Sequence, residues 1–284
     1  AWRTSGRLLR PLRDIQDGVR AMRAGEMDLR LQVGGEQDEL AYLAESLNEA
    51  FDAHRDAQRR LDDFASNVSH QLRTPLTSIR ATGQVCLDQE RDPEAYCECI
   101  GSMLEASERL THMVDQLLQL ARISGRDADQ QDWPWVDLTE LIPEVCVPFA
   151  ELAHDRGAEW EIQFPTEPLM IRGNAVWLRE AMSNLLNNAL AYTPDPAKFK
   201  VSLTATDGWV YCRIEDNGPG VPAEQREQLF TRFQRGCANQ DGGTGLGLAI
   251  VSEVLNLHGG MVKCLESSLG GAGFEFSLPQ SVDS

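Results

Sequence analysis

Apolar residues at the start of the chain recur at helical spacing. Leu8, Leu12, Ile15, Val19 and Met22 step by four, three, four and three, a short heptad seam that Gly25 interrupts. Asp28 to Val33 alternates and predicts an extended connector, and after Gly34-Gly35 a second seam passes through Leu40, Leu43, Leu47, Ala50 and His54. Neither helix buries its stripe alone, because isolated helices of this length are marginal in water, so the two are expected to pack together and against a second copy. The second seam runs on through Leu61, Phe64, Val68, Leu72, Leu76 and Ile79, which predicts one long helix ending near Asp92-Pro93. Ile100, Met103, Ser107, Leu110, Val114, Leu117 and Ala121 mark a further helix that stops at Ser124-Gly125. Two helices with a seam each make an antiparallel hairpin, and two hairpins make a dimeric four-helix bundle.

From Gly125 to Trp133 the chain turns polar and reads as a linker. Beyond it, helix and strand patterns alternate. Leu141 to His154 and Ala175 to Tyr192 predict helices, and a third follows Gly247. Strands are expected at Trp160–Phe164, Leu169–Gly173, Phe199–Ala205, Trp209–Glu215, Met261–Glu266 and Gly273–Leu278. Strands backed by a few helices mean a mixed α/β sandwich, so the fold class is all-helical segments followed by an α/β domain.

Charge and cysteine content narrow the functions. The chain has 284 residues and a formal charge of −18, which repels a polynucleotide backbone, and no basic patch offsets it, so no nucleic-acid partner is expected. Seven cysteines at 86, 97, 99, 146, 212, 237 and 264 include no CxxC pair and are expected to be reduced, with no zinc site. No stretch approaches the roughly twenty apolar residues that span a bilayer, and the chain as given reads as soluble. The basic run Arg3, Arg7, Arg10 and Arg13 suits either the cytoplasmic flank of a membrane helix or an ordinary solvated helix face.

His70 lies midway between Val68 and Leu72 and therefore points away from the apolar stripe, where a separate domain can reach it. A lone histidine on a helix is commonly just a solvated residue, but Pro75 sits five positions later within an unbroken apolar repeat. Proline inside a helix lacks the amide donor and crowds the carbonyl one turn back, so a special local shape is expected beside His70.

Four stretches carry chemistry in the C-terminal half. Glu180, Asn184 and Asn188 are spaced by four and stack on one helix face, while Leu185, Leu186 and Ala189 point to the core. Stacked amide and carboxylate oxygens suit Mg²⁺ bound together with phosphates, although a plain polar face accounts for any one of them. Asp216-Asn217-Gly218-Pro219-Gly220 follows a strand, and a carboxylate beside glycines can seat a flat ring bearing an amine, or simply form a tight turn. Gly243, Gly245 and Gly247, interleaved with Thr244, Leu246 and Leu248, open a helix whose free amides can face phosphate oxygens. The run has neither the lysine of a Walker loop nor the strand-first order of a Rossmann turn. Phe230 and Phe233 flank Arg232 ahead of the segment Gly236 to Gly243, which suits either core packing or the hinge of a mobile lid.

The strings SHQLRTPL around His70, and NLLNNA, DNGPG, LFTRF and GGTGLGLAI in that order, resemble the boxes of bacterial two-component sensor histidine kinases. Residues 1–55, with Pro11 and Asp38-Glu39-Leu40, resemble a HAMP signal relay; a plain helical hairpin is the alternative. The resemblance implies a HAMP-like segment (1–55), a dimerisation and phosphoacceptor hairpin (56–125), a linker (126–132) and a GHKL-type ATP-binding domain (133–280). It further implies ATP with Mg²⁺, a homodimer, autophosphorylation of His70, and transfer to an aspartate of a response-regulator receiver domain. The upstream transmembrane sensor would be absent from this chain, which would be the cytoplasmic portion of an inner-membrane protein.

The implied catalytic residues are His70, Gln71 and Thr74, and the implied metal residues Asn188, Asn184 and Glu180. The implied nucleotide contacts are Asn184, Asn188, Tyr192, Asp216, Gly218, Gly220, Phe230, Arg232, Phe233 and Gly243 through Leu248. Two positions depart from the family pattern. Gln71 stands where an acidic residue is usual, and an amide cannot act as a base; Ala191 replaces a lysine, leaving phosphate contacts to Arg232 or Arg235. The alternatives are an ATP-binding adaptor with weak or no kinase activity and a GHKL ATPase clamp, the latter having no use for a His-bearing hairpin.

Overall fold

The computed structural model describes residue 31 and residues 39–124, 133–234 and 243–280. The first expected seam, and all of the connector except Leu31, lie outside these residues. The chain forms two compact units, residues 1–70 and 71–284.

In the first unit, Leu31 is tied at both backbone groups to one side chain: its amide donates to Asn48 Oδ1 at 3.0 Å, and Asn48 Nδ2 donates to its carbonyl at 3.1 Å. One side-chain amide thus satisfies both backbone groups of Leu31. That helix, α1 (Glu39–Leu87), is continuous through Pro75.

The predicted end of α1 at Asp92-Pro93 is the start of the next helix instead. Asp92 accepts from the amide of Ala95 at 2.8 Å, and Pro93 occupies the first position of α2 (Pro93–Ser124), where a missing amide costs nothing. Met103 packs beside Gly83 of α1 at ordinary van der Waals distance. A disulfide joins Cys86 to Cys99 across the hairpin, correcting the expectation that all cysteines are reduced. Antiparallel pairing brings the two positions face to face, and their spacing along the chain gives no sign of it. Cys97 is exposed, whereas Cys146, Cys212 and Cys264 are buried thiols. Burial pushes Cys146 up to about 12 and Cys264 to about 11, so neither is a ready nucleophile.

The buried face of α2 also differs from the expected seam. Ala106, Met113, Gln116, Leu120 and Ile123 are buried, whereas Ile100 and Val114 are exposed. Met113, Leu120 and Ile123 join the core of the α/β domain. The helix thus has two apolar stripes, and counting one seam finds only one of them.

Beyond the linker, β1 (Trp135–Asp137) leads into α3 (Leu138–Asp155), capped by Asp137. Then follow β2 (Glu159–Gln163), β3 (Met170–Arg172), α4 (Ala175–Tyr192), β4 (Lys198–Thr206) and β5 (Trp209–Asp216). Short turns of helix at Ala223–Gln225 and Gln228–Phe230 precede α5 (Gly247–Leu257), β6 (Met261–Glu266) and β7 (Ala272–Pro279). The main sheet has the order β2-β4-β5-β7-β6, parallel only between β2 and β4, and β1 pairs with β3 separately. Alternation puts Phe199, Val201, Leu203, Val210, Cys212, Ile214, Phe274, Phe276 and Leu278 in the core with the helices. On the other face Glu275 pairs with Arg213 and Lys263 from the flanking strands. This is the α/β sandwich read from the sequence.

His258, at the end of α5, was not singled out by the sequence. Its Nε2 accepts from the amide of Asn174 at 3.0 Å, which fixes the proton on Nδ1, and Nδ1 donates to the Val254 carbonyl at 2.7 Å. The ring packs on Trp133 at 4.2 Å. Burial lowers His258 from 6.5 to about 4, the bond to Val254 opposing this only in part. The unfolded chain therefore takes up this proton first, and stability falls as pH drops from about 6.5 towards about 4. Between about pH 7 and about pH 5 the loss from this group is about 2 kcal/mol, and His258→Gln, which still accepts but does not titrate, is expected to remove that slope in urea unfolding. An unchanged slope would show that His258 does not set it.

Candidate functional site

Asn174 starts α4 by accepting from the amides of Val176 and Trp177. Ten residues on, Asn184 lies half-buried on the same helix, followed by half-buried Asn188, with Glu180 exposed one turn earlier. Leu185, Leu186 and Ala189 are buried, as the spacing requires. The glycine turn crosses this face of α4. A Cβ at Gly247 would lie 3.1 Å from Asn184 Oδ1, a tight contact, so the first turn of α5 packs closely on Asn184. Asn184 Nδ2 is buried with no hydrogen-bond partner among the described residues. A buried polar atom left so is costly, and it fits a group awaiting a ligand oxygen.

Asp216 ends β5 and is almost fully buried. Its Oδ1 accepts from the amides of Gly218 at 2.8 Å and Ala272 at 3.0 Å. Burial raises its pKa, and those two amide bonds pull it back only in part. A Cβ at Gly218 would crowd this carboxylate, one at Gly271 would collide with it, and Gly220 has φ +70°. The sequence reading missed Gly271 and Ala272; the Gly270-Gly271 pair ahead of β7 was the available signal. Asn217 is structural, accepting from the amide of Lys198 and donating to the Pro196 carbonyl.

Phe230 makes an edge contact with the core residue Phe274 at 6.4 Å. Phe233, at φ +64°, donates its amide to the Gly245 carbonyl at 2.8 Å, and Gly245 has φ +70° with no room for a Cβ against the Phe233 backbone. The phenylalanine stretch is thus bonded directly to the glycine turn. Arg232 pairs with Glu253 on α5 at 2.8 Å. Arg235 and most of the expected lid lie outside the described residues; Gly243 is described, and Tyr192 Oη is the nearest atom to its Cβ position. Thr244 is half-buried, Leu246 buried and Leu248 half-buried; no side chain caps α5, so its first-turn amides are not engaged by a cap.

The nucleotide residues of the sequence reading therefore gather on α4, the end of β5 and the start of α5. His70 is exposed on α1 within the first unit. In the second unit, Gln71 is half-buried and Thr74 exposed. Hard oxygen donors at Glu180, Asn184 and Asn188, with an unpartnered buried amide among them, fit Mg²⁺ with a phosphate better than a soft metal. No cluster of three or more His, Cys, Asp or Glu able to hold a metal occurs among the described residues. None of the helices among them is long and apolar enough to cross a membrane.

Residues 3–53 match the HAMP domain family, and residues 60–126 the His Kinase A phospho-acceptor domain. Residues 173–282 match the Histidine kinase-, DNA gyrase B-, and HSP90-like ATPase family. Sensor protein kinase PmrB of Pseudomonas aeruginosa is 34% identical over 98% of this chain, which covers 57% of that protein. Signal transduction histidine-protein kinase BaeS of Escherichia coli is 32% identical over 97% of the chain, covering 59% of BaeS. The chain thus spans somewhat more than half the length of these relatives. Among solved structures, full-length ShkA in complex with AMPPNP aligns with TM-score 0.56 at 26% identity, over 78% of this chain and 46% of that one. Histidine kinase ThkA in complex with the response regulator TrrA shares the fold at TM-score 0.66 and 22% identity, over 87% and 68%. Three family segments in this order, on a fold that gathers the asparagine, aspartate and glycine residues into one cradle, show that the chain belongs to the two-component sensor histidine kinases.

Proposed function

We propose that the chain binds ATP in the cradle of its α/β domain, moves the γ-phosphoryl group to a ring nitrogen of His70, and passes it to an aspartate of a response-regulator receiver domain. The observation carrying this reading is the convergence of the Asp216 carboxylate, the unpartnered Asn184 amide and the uncapped start of α5 in one cradle. ShkA, which resembles this chain in fold and sequence, was solved with AMPPNP, a triphosphate analogue.

Each residue has a chemical role. Asp216 accepts from the exocyclic amine of adenine, and Gly218 and Gly220 let the ring lie against backbone. Asn184, Asn188 and Glu180 hold Mg²⁺, which neutralises phosphate charge when bound. The backbone from Gly243 to Leu248 faces the phosphates, the Leu246 amide excepted because Thr244 Oγ1 accepts from it, with Tyr192, Phe230, Arg232 and Phe233 along the border. An unprotonated ring nitrogen of His70 attacks phosphorus in line as the bond to the ADP oxygen breaks, and the phosphoramidate formed is reactive enough to be passed on. Gln71 can hydrogen-bond but not act as a base, which favours slower chemistry and puts in doubt the water-orienting role of Thr74 in the reverse phosphatase reaction.

The working boundaries are a HAMP-like relay at 1–55, the phosphoacceptor hairpin at 56–125, a linker at 126–132 and the ATP-binding domain at 133–280. Leu76, Val85, Leu87, Ile100, Leu104, Val114 and Leu118 leave an apolar face exposed on the hairpin, which supports a homodimer built as a four-helix bundle. The likeness to sensor kinases of which this chain spans somewhat more than half supports placing it as the cytoplasmic portion of an inner-membrane protein. Incubation with γ-labelled ATP and Mg²⁺ is expected to give a label stable to alkali, lost in acid and chased onto a receiver domain. ATP binding without such label would leave the adaptor reading, which Gln71 and Ala191 favour.

A further inference from the structure

The polar side chain of the glycine turn is Thr244, and a hydroxyl has one proton to donate. That proton is directed at the hairpin: Thr244 Oγ1 donates to Gln116 Oε1 on α2 at 2.6 Å, while accepting from the amide of Leu246 at 3.3 Å. Gln116 is only 5% exposed and lies in the stripe formed by Met113, Leu120 and Ile123, which is otherwise apolar and packs into the domain core. An amide in such a place is destabilising unless bonded, and Thr244 supplies a bond. The same threonine lies in the turn whose amides open α5, next to the Asn184 face.

Phosphate oxygens of ATP accept hydrogen bonds and have no proton to give back. Thr244 therefore serves a phosphate only by leaving Gln116. We propose that Gln116 is an inhibitory latch, holding the glycine turn against α2 so that hairpin docking and triphosphate binding compete for the Thr244 proton. The proposal rests on the reading of the glycine turn as the phosphate site. On binding, the bond from Thr244 to the Gln116 carbonyl is exchanged for one to a phosphate oxygen, and Gln116 turns to water; no covalent bond changes. Coupling of this kind is reciprocal, so a signal that shifts α2 away from the turn tightens ATP binding, and ATP loosens α2.

The test compares ATP and adenosine affinities in the full chain, because adenosine fills the Asp216 end without competing for Thr244. Gln116→Met keeps the volume and removes the amide oxygen. It is expected to bind ATP about 3- to 10-fold more tightly, the range a single net hydrogen bond gives, with adenosine affinity unchanged. ATP affinity that is unchanged or weaker, or equal shifts for both ligands, would overturn the latch. A second readout uses the wild-type chain: saturating ATP, but not adenosine, is expected to speed hydrogen exchange along residues 113–123, and slower exchange there would also overturn it. Tight adenosine binding with no ATP preference in any variant would remove the phosphate-site reading, and the latch with it.

Discussion

His70→Gln is expected to abolish the acid-labile label, to below about a thousandth of the wild-type rate, while leaving ATP affinity within about twofold. Glutamine is polar, fits an exposed helix position and has good helix propensity, so α1 keeps its structure. It has no ring nitrogen with a lone pair to attack phosphorus. The cradle is built from other residues, on α4, β5 and the glycine turn, so nucleotide binding has no reason to change. Loss of label and retention of ATP together separate a missing acceptor from a broken protein. Undiminished label in this variant would move the acceptor elsewhere.

Asp216→Asn is expected to weaken ATP binding about 30- to 100-fold with little change in melting temperature. The contrast follows from the bonding of this carboxyl. Oδ1 accepts from the amides of Gly218 and Ala272, and an asparagine carbonyl placed there accepts from both in the same way. The second oxygen becomes an NH₂ that faces the adenine amine donor to donor, so an attractive contact turns repulsive where the wild type binds. Burial already raises the Asp216 pKa, so losing the charge relieves a desolvation cost and leaves the fold intact. A variant with wild-type ATP affinity would show that Asp216 does not read the base. Titration by calorimetry alongside thermal unfolding distinguishes the two effects.

Much of the local structure around the proposed cradle was legible because its signals are local. Residues 175–192 alternate Leu185, Leu186 and Ala189 with Glu180, Asn184 and Asn188, so one helix, its core face and its polar face follow from spacing alone, and α4 has those bounds. The sheet strands read equally well, since alternation along β4 and β5 is strong and each ends at a glycine or polar turn. What stayed hidden depends on distant partners. Gly271 matters because β7 brings it against Asp216, and His258 because its ring meets the amide of Asn174. Asp92-Pro93 carries stop and start signals in the same two residues, and only the bond to Ala95 decides between them. In α2 a seam count selects Ile100 and Val114, while Met113, Gln116 and Leu120 are the residues packed inward, because the helix has apolar residues on two sides. The Thr244 bond to Gln116 joins residues 128 positions apart and belongs to neither motif.

In the proposed reaction the cradle hands its γ-phosphoryl group to one imidazole. Its most direct measurement is mass-spectrometric mapping of the phosphoryl group on the wild-type chain after brief incubation with ATP and Mg²⁺, quenched and digested under alkaline conditions. Phosphohistidine is expected at His70, and none in the Asp216→Asn chain at an ATP concentration that saturates only the wild type. Phosphoryl groups on another residue, or none on a chain shown to be saturated with ATP, would contradict it.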